Sequence, residues 1–317
     1  DSSINPPSGF VLPAMRIPVN NNRDSRRDNV ELQHRHRLGE HLHLLWGAEW
    51  RRDWLDAPDL FYADPRARSQ NEWRLFGNTE WRLATQWLLN AGLMVERIDA
   101  DRTRMAPRLF LNWQPEPAHT VRLGWSRAWR QPSIFERSGD VRVAFNGNIL
   151  QYRHLSNPHI QPSRIDGFEI GYLGLVPAHS GVFDLRLFHE RIDDMIIREP
   201  ATVDPALVMF PAIQAAMGAT RWSNSPDRIR LNGFEYQLRL SPWTDGELIL
   251  NHSMVRASAR DRAIRDSVAP YTASLSWLQS WQGWQTTLTV LRMGPLNAGT
   301  GYVPNYRYRV PAYTTLD

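Results

Sequence analysis

Four histidines, His34, His36, His41 and His43, flank the dipeptide Gly39-Glu40. Imidazole is a common ligand for zinc, copper and nickel, and i, i+2 spacing puts each pair on one face of a strand. A metal site is one expectation, and polar residues lining a barrel near a turn is the plainer one. A second group lies in segment 132–163: Glu136, Arg137, Asp140, Arg142, Arg153, His154 and His159. Segment 199–227 adds an apolar stretch and Trp222. Loops on a rigid scaffold often carry function, so Arg137, Arg142, Arg153, His154, His159 and Trp222 are candidate ligand-binding residues. The alternative is ordinary solvated loop charge. Asp193 and Asp194 follow Glu190 and invite an acid–base reading. Neighbouring residues on a strand face opposite sides, so these two cannot act as a pair.

Several classes of chemistry are closed. The chain has no Cys, which removes disulfides, thiolate ligands and thiol nucleophiles. All 37 basic residues are Arg, so no phosphate loop of the Walker type exists, and no serine-hydrolase, zincin or dinucleotide glycine motif is present. No enzyme activity and no cofactor is expected. A net charge of +4, spread along the chain, is not the concentrated basic face of a nucleic-acid binder. No run of about 20 apolar residues could form a membrane helix. Asp1-Ser2-Ser3 has neither the basic start nor the apolar core of a signal peptide.

Alternation with period two dominates the elements that must position these residues. Leu42, Leu44, Trp46, Ala48 and Trp50 oppose His43, Gly47, Glu49 and Arg51. Trp73, Leu75, Thr79 and Trp81 oppose Glu72, Arg74, Asn78 and Glu80. The pattern returns at Val121–Trp129, Phe168–Tyr172, Phe183–Leu187, Phe234–Leu240, Tyr271–Trp277 and Trp284–Val290. Such strands run well past the five or six residues usual in soluble sheets and suit the nine to eleven that cross a bilayer. Many of the 14 Trp lie toward the ends of apolar faces, as in an interfacial girdle. Short turns near 39–40, 84–85, 115–118, 177–181, 243–246 and 282–283 alternate with long segments at 56–69, 132–163, 199–227, 259–267 and 294–310. The reading is all-β: part of an antiparallel transmembrane β-barrel of the outer-membrane type. It has about a dozen long strands, short periplasmic turns and long extracellular loops. Residues 1–27 are expected as a loop or linker and 28–317 as barrel.

The ordered motifs then resemble the TonB-dependent receptor family. Arg130, Pro132 and Glu136 match its outgoing "R.P...E". Asn157, Pro158 and Pro162 match its returning "NP.L.PE", with Ser163 where the family often has Glu. Glu169, Gly171 and Tyr172 match an "E.GY" strand, and Gly233 and Glu235 match a "G.E" strand. The likeness is clear over residues 105–317 and rests on pattern alone before that. It implies a receptor in the outer membrane of a Gram-negative bacterium that takes up an iron–siderophore or similar scarce ligand with TonB-supplied energy. Implied partners are the TonB complex, the ligand, membrane lipid and lipopolysaccharide. It also implies that Gly171 and Gly233 make room for a plug domain, and that Glu169 and Glu235 point inward. No plug or TonB box precedes residue 28, and the chain stops at Asp317, so an internal barrel segment is expected. The competing readings are a passive porin-like barrel and a soluble secreted β protein, such as a carbohydrate-active enzyme.

Overall fold

The computed structural model describes residues 22–99, 102–299 and 307–317. Long strands come first: β1 (Asp24–Leu38), β2 (Leu42–Asp56), β3 (Arg68–Ala84), β4 (Trp87–Ile98), β5 (Arg104–Glu116) and β6 (His119–Arg130). Two shorter strands follow, β7 (Val141–Phe145) and β8 (Asn148–Leu155), after the short helix α1 (Ile134–Ser138). The long β9 (Ser163–Val176) and β10 (Gly181–Asp193) precede the short β11 (Ile196–Ala201), helix α2 (Pro211–Met217) and β12 (Ala219–Asn224). The remainder is β13 (Ile229–Trp243), β14 (Gly246–Ser258), β15 (Tyr271–Trp281), β16 (Trp284–Met293), β17 (Leu296–Gly299), β18 (Arg307–Val310) and β19 (Tyr313–Leu316).

Thirteen of these form one sheet in the order β1-β2-β3-β4-β5-β6-β9-β10-β13-β14-β15-β16-β19, each antiparallel to its neighbour. The sheet is not closed; β1 and β19 are its edges. Its first strand begins at Asp24, four residues before the expected barrel start, and residues 1–21 lie outside the described set. The expected turns all appear. Gly39 (φ 72°) and Gly283 (φ 90°) supply left-handed backbone in two of them, which glycine adopts without steric cost. Pairing of β6 with β9 ends at Arg130 opposite Ser163, with Pro132 and Pro162 buried just beyond, since proline cannot donate to a ladder.

The register divides the sheet into two chemically distinct faces. On one, Leu32, Trp73, Leu75, Phe168 and Ile170 are each more than 50% exposed. A soluble sandwich would bury this face against a second sheet, so the soluble reading fails on it. Trp46, Trp81, Trp87, Trp113, Trp243, Trp281 and Trp284 cluster near the short turns, and Trp87 stacks on Trp113 at 5.7 Å. Such a girdle places the indole N–H at the headgroups and the ring against lipid.

The other face is polar, with an aromatic packed over a glycine at three places. Phe76 lies opposite Gly47, Phe110 opposite Gly124 and Phe188 opposite Gly233. A Cβ on Gly233 would stand 2.7 Å from the Phe188 ring and 2.3 Å from the Met254 carbonyl oxygen. Ring-over-glycine pairing fills the pleat and keeps rotamers fixed on a wall that has no second layer. The space at Gly233 is therefore taken by the wall's own Phe188. At Gly171 it is taken by Arg122, whose Nε would lie 3.3 Å from an added Cβ. The expectation that both glycines leave room for a plug is corrected accordingly. Gly233→Val should destabilise the folded sheet by about 1–3 kcal/mol, the usual range for overpacking. Loss of heat-resistant, compact electrophoretic mobility at a lower temperature would show it; an unchanged profile would refute the packing argument.

Candidate functional site

Alternation places carboxylates and guanidiniums at matching heights on neighbouring strands, all on the polar wall. Arg186 on β10 is the first hub. Its Nε donates to Glu169 (2.8 Å), Nη1 to Glu235 (2.6 Å) and Nη2 to Glu190 (3.1 Å). Arg122 pairs with the other oxygen of Glu169 at 2.9 Å. The guanidinium of Arg186 also lies 4.8 Å from the Phe188 ring centre, a cation–π distance. The motif residues Glu169, Gly171, Gly233 and Glu235 thus converge on one place in the wall, and both glutamates face inward and meet arginine as expected.

A second hub lies nearer the first edge. Arg74 on β3 reaches Glu49 (3.0 Å), Glu72 (2.6 Å) and Glu96 (3.7 Å), while Arg51 pairs with Glu72. Glu72 and Glu96 are buried. The first hub holds three carboxylates against two arginines; at the second, Arg104 on β5 also stands opposite Glu96. By alternation alone these residues are only the polar sides of three strands. Their convergence follows from the pairing of Glu49 with Arg74 and of Arg74 with Glu96 across adjacent strands.

The long segments are not plain loops. β11, β12, β8 and β7 form a four-stranded sheet in that order, with β12 and β8 joined in parallel through Thr220 opposite His154. Tyr152, Val208 and Ala219 make its small buried core. Gln214 on α2 clamps Tyr152 through both backbone groups, at 2.7 and 3.2 Å. The sheet is tied to the rim of the polar wall. Ser133 and Glu136 form a capping box on α1, and buried Glu136 also accepts from Arg130 at 2.5 Å. Gln131 donates to Glu96 at 2.7 Å, linking the loop base to the second hub.

The six candidate ligand-binding residues divide in two. Arg142 is structural: it grips Asp140 at 2.8 and 2.6 Å and lies between Tyr62 and Tyr152. Asp140 in turn receives the Ala63 N–H, which joins segment 56–68 to this sheet. His154 is only 2% exposed, stacks on Phe135 at 5.0 Å and meets Thr220 Oγ1 at 3.2 Å. Arg153 and His159 are exposed, and Arg137 and Trp222 half-buried. Asn157 fixes the Trp222 strand through its carbonyl at 2.9 Å, whereas Pro158 is exposed at the bend.

The four histidines do not converge. His34 and His36 pair across from Trp46 and Leu44, on the exposed apolar face, where they stack on each other at 5.9 Å. His43 sits opposite Glu80 on the polar wall, and His41 lies in the turn. The lining reading therefore holds for His43 and is corrected for His34 and His36. Among the described residues no group of three or more His, Asp or Glu could hold a metal ion. Asp193 binds Arg164 (2.5 Å), Arg191 (2.9 Å) and Arg228 (2.9 Å), while Asp194 has left-handed backbone (φ 55°), so the two do not pair.

With this geometry, comparison with known proteins is decisive. Residues 3–317 match the family described as TonB dependent receptor-like, beta-barrel. The chain belongs to that family. An iron-regulated outer membrane virulence protein of Vibrio cholerae is 26% identical over 305 residues, covering 88% of this chain and 42% of that protein. The ferric enterobactin receptor of Pseudomonas aeruginosa superposes with a TM-score of 0.73 at 16% identity, over 92% of this chain and 45% of its own. The siderophore receptor PirA of Acinetobacter baumannii gives 0.67 at 15% identity, over 93% and 47%. At such identities the two structures establish the fold. The chain spans less than half the length of the relatives it matches. Family, fold and exposed apolar face together place this TonB-dependent barrel in a Gram-negative outer membrane.

Burial, then the nearby charge of Arg198, pushes the His154 imidazole down to about 4, against a smaller opposing pull from Asp140. Its folded-state pKa lies below its unfolded value near 6.5. The stability it contributes is therefore complete above about pH 6.5 and is lost as pH falls through about 4. Hydrogen exchange in β8 and β12 should accelerate over that window, and His154→Gln should remove the dependence. Identical pH profiles for both proteins would sink this account.

Proposed function

We propose that the protein is an outer-membrane receptor that takes up an iron–siderophore or a similarly scarce ligand, using energy supplied through the TonB complex. The observation that carries this is the loop sheet fastened by Gln131–Glu96 and Arg130–Glu136 to the rim of a wall built around two arginine hubs. A ligand held beneath the loop sheet meets hydrogen-bonding groups of both signs on its way inward. Exposed Arg153 and His159 are the loop candidates for first contact. The resemblance supplies the rest of the scheme: contact with TonB runs through a plug and TonB box.

Uptake of radiolabelled ferric siderophores by cells making the protein is the direct test. Uptake should saturate and should stop when the proton gradient is collapsed or TonB is deleted. Linear uptake that ignores both treatments would favour the porin-like reading. Arg186→Gln leaves Glu169, Glu190 and Glu235 without their shared cation, so transport should fall about tenfold while surface binding is retained. Loss of binding and transport in equal measure would instead assign Arg186 to simple ligand affinity.

A further inference from the structure

On β1 to β5, arginine of the inner wall is paired near the long loops and bare near the short turns. At the long-loop end Arg27 donates to Asp53 at 2.5 Å, and Arg51 reaches both Asp53 (3.2 Å) and Glu72. Arg74 holds its three glutamates, and Arg104 stands opposite Glu96. At mid-height the partner of Arg108 is neutral: it donates to Asn78 Oδ1 at 2.8 Å. Nearest the turns come Arg35 and Arg37 on β1 and Arg82 on β3. All three are exposed, and their guanidiniums make no hydrogen bond or ion pair among the described residues.

Register brings these three into one patch. Arg37 stands opposite His43, and His43 opposite Glu80. Arg82 is the next inward residue after Glu80 on β3. Its backbone N–H donates to the His41 carbonyl at 2.8 Å, which fixes it beside the β1–β2 turn. Arg35 is one inward step above Arg37, opposite Leu45. The nearby carboxylates are Glu80, 3.6 Å from His43, and Glu40 in the turn; neither holds an arginine among the described residues. At the same end of β13, Arg239 shows the other arrangement, donating to Glu247 at 3.0 Å. Bare arginine is therefore a property of the β1–β3 patch and not of the short-turn end as a whole.

Like charges set close together on neighbouring strands repel, so bare guanidiniums here cost the fold energy unless an anion meets them. Fixed charge of one sign on a wall of low dielectric focuses its field into the space it faces, and arginine lines pores that pass anions. The planar guanidinium also fits paired anionic oxygens bidentately. An anion moving inward leaves a wall whose charges are matched and reaches one whose arginines are free. We propose that Arg35, Arg37 and Arg82 form an anion-receiving site on the inner wall at its periplasmic end, and that the ligand passing it carries net negative charge. The inference rests on the uptake reading above and adds to it a transit site and a ligand charge.

Cells making the protein test it with radiolabelled ferric complexes of two probes: a tris-catecholate, whose complex is anionic, and a tris-hydroxamate, whose complex is neutral. The anionic complex should enter at least about tenfold faster than the neutral one. The triple variant Arg35→Gln, Arg37→Gln, Arg82→Gln should lower the saturated uptake rate of the anionic complex about tenfold, with surface binding to de-energised cells unchanged. The corresponding triple Lys variant keeps the charge and should recover most of that rate. Heat-modifiable mobility shows whether each variant is folded. An unaltered triple Gln variant, a triple Lys variant that transports no better than it, or equally fast entry of the neutral complex would each overturn the proposal. So would weaker surface binding or a lowered heat-modifiable transition in the triple Gln variant, since either assigns these arginines to the wall's own structure. All of these outcomes leave the uptake reading standing, whereas uptake of neither complex by the parent would remove both.

Discussion

Lipid offers no partner to a peptide N–H or carbonyl, and this constraint organises the whole molecule. Each strand facing a bilayer must satisfy its backbone through its neighbours. The continuous antiparallel register from β1 to β16 does so, interrupted by bulges only at Arg82/Ala84, Trp113/Glu116 and Leu240/Trp243, all beside short turns. Once the ladders are fixed, the pleat sends successive side chains to opposite sides. A single hydrogen-bond pattern thus generates both working surfaces: an apolar band with its tryptophan girdle, and a polar wall.

This arrangement leaves little room for a hydrophobic core of the usual kind. The clustered apolar core of Tyr152, Val208 and Ala219 belongs to the small loop sheet. On the main sheet, order comes from side chains interlocking within one layer. Phe188 rests on Gly233 while Arg186 lies against Phe188 and reaches Glu169, Glu190 and Glu235. Such ion pairs would add little on an exposed surface. Here Glu169 and Glu235 are held on the two neighbouring strands and Glu190 on β10 itself, so the network fixes the polar wall's shape more than it adds stability.

Most of the main sheet could be read from sequence because period-two alternation is local: Trp73, Leu75 and Trp81 against Glu72, Arg74 and Glu80 needs no partner to be recognised. Glu169 and Glu235 could also be placed inward on that basis. Three things were hidden for the same reason. The occupant of the space at Gly233 is Phe188, 45 residues away. The position of His34 and His36 on the apolar face contradicts their polarity, although they share parity with Val30, Leu32 and Leu38 on β1 and stand opposite Trp46 and Leu44. The loop sheet is built from strands of five to eight residues, too short to show a pattern. Its defining contact, His154 with Thr220, joins separate segments in parallel. The charges of Arg142 and His154 suggested solvent or ligand, yet one secures two loops together and the other is buried.

That parallel contact imposes an order on assembly. β8 can pair with β7 at once, but its other edge stays open until the chain has laid down β9, β10 and β11 and returned with β12. Closing so long a loop carries an entropic cost, which the β9–β10 pairing reduces by holding the intervening chain in register. The loop sheet thus joins segments that are far apart in sequence and that the intervening main-sheet strands bring together.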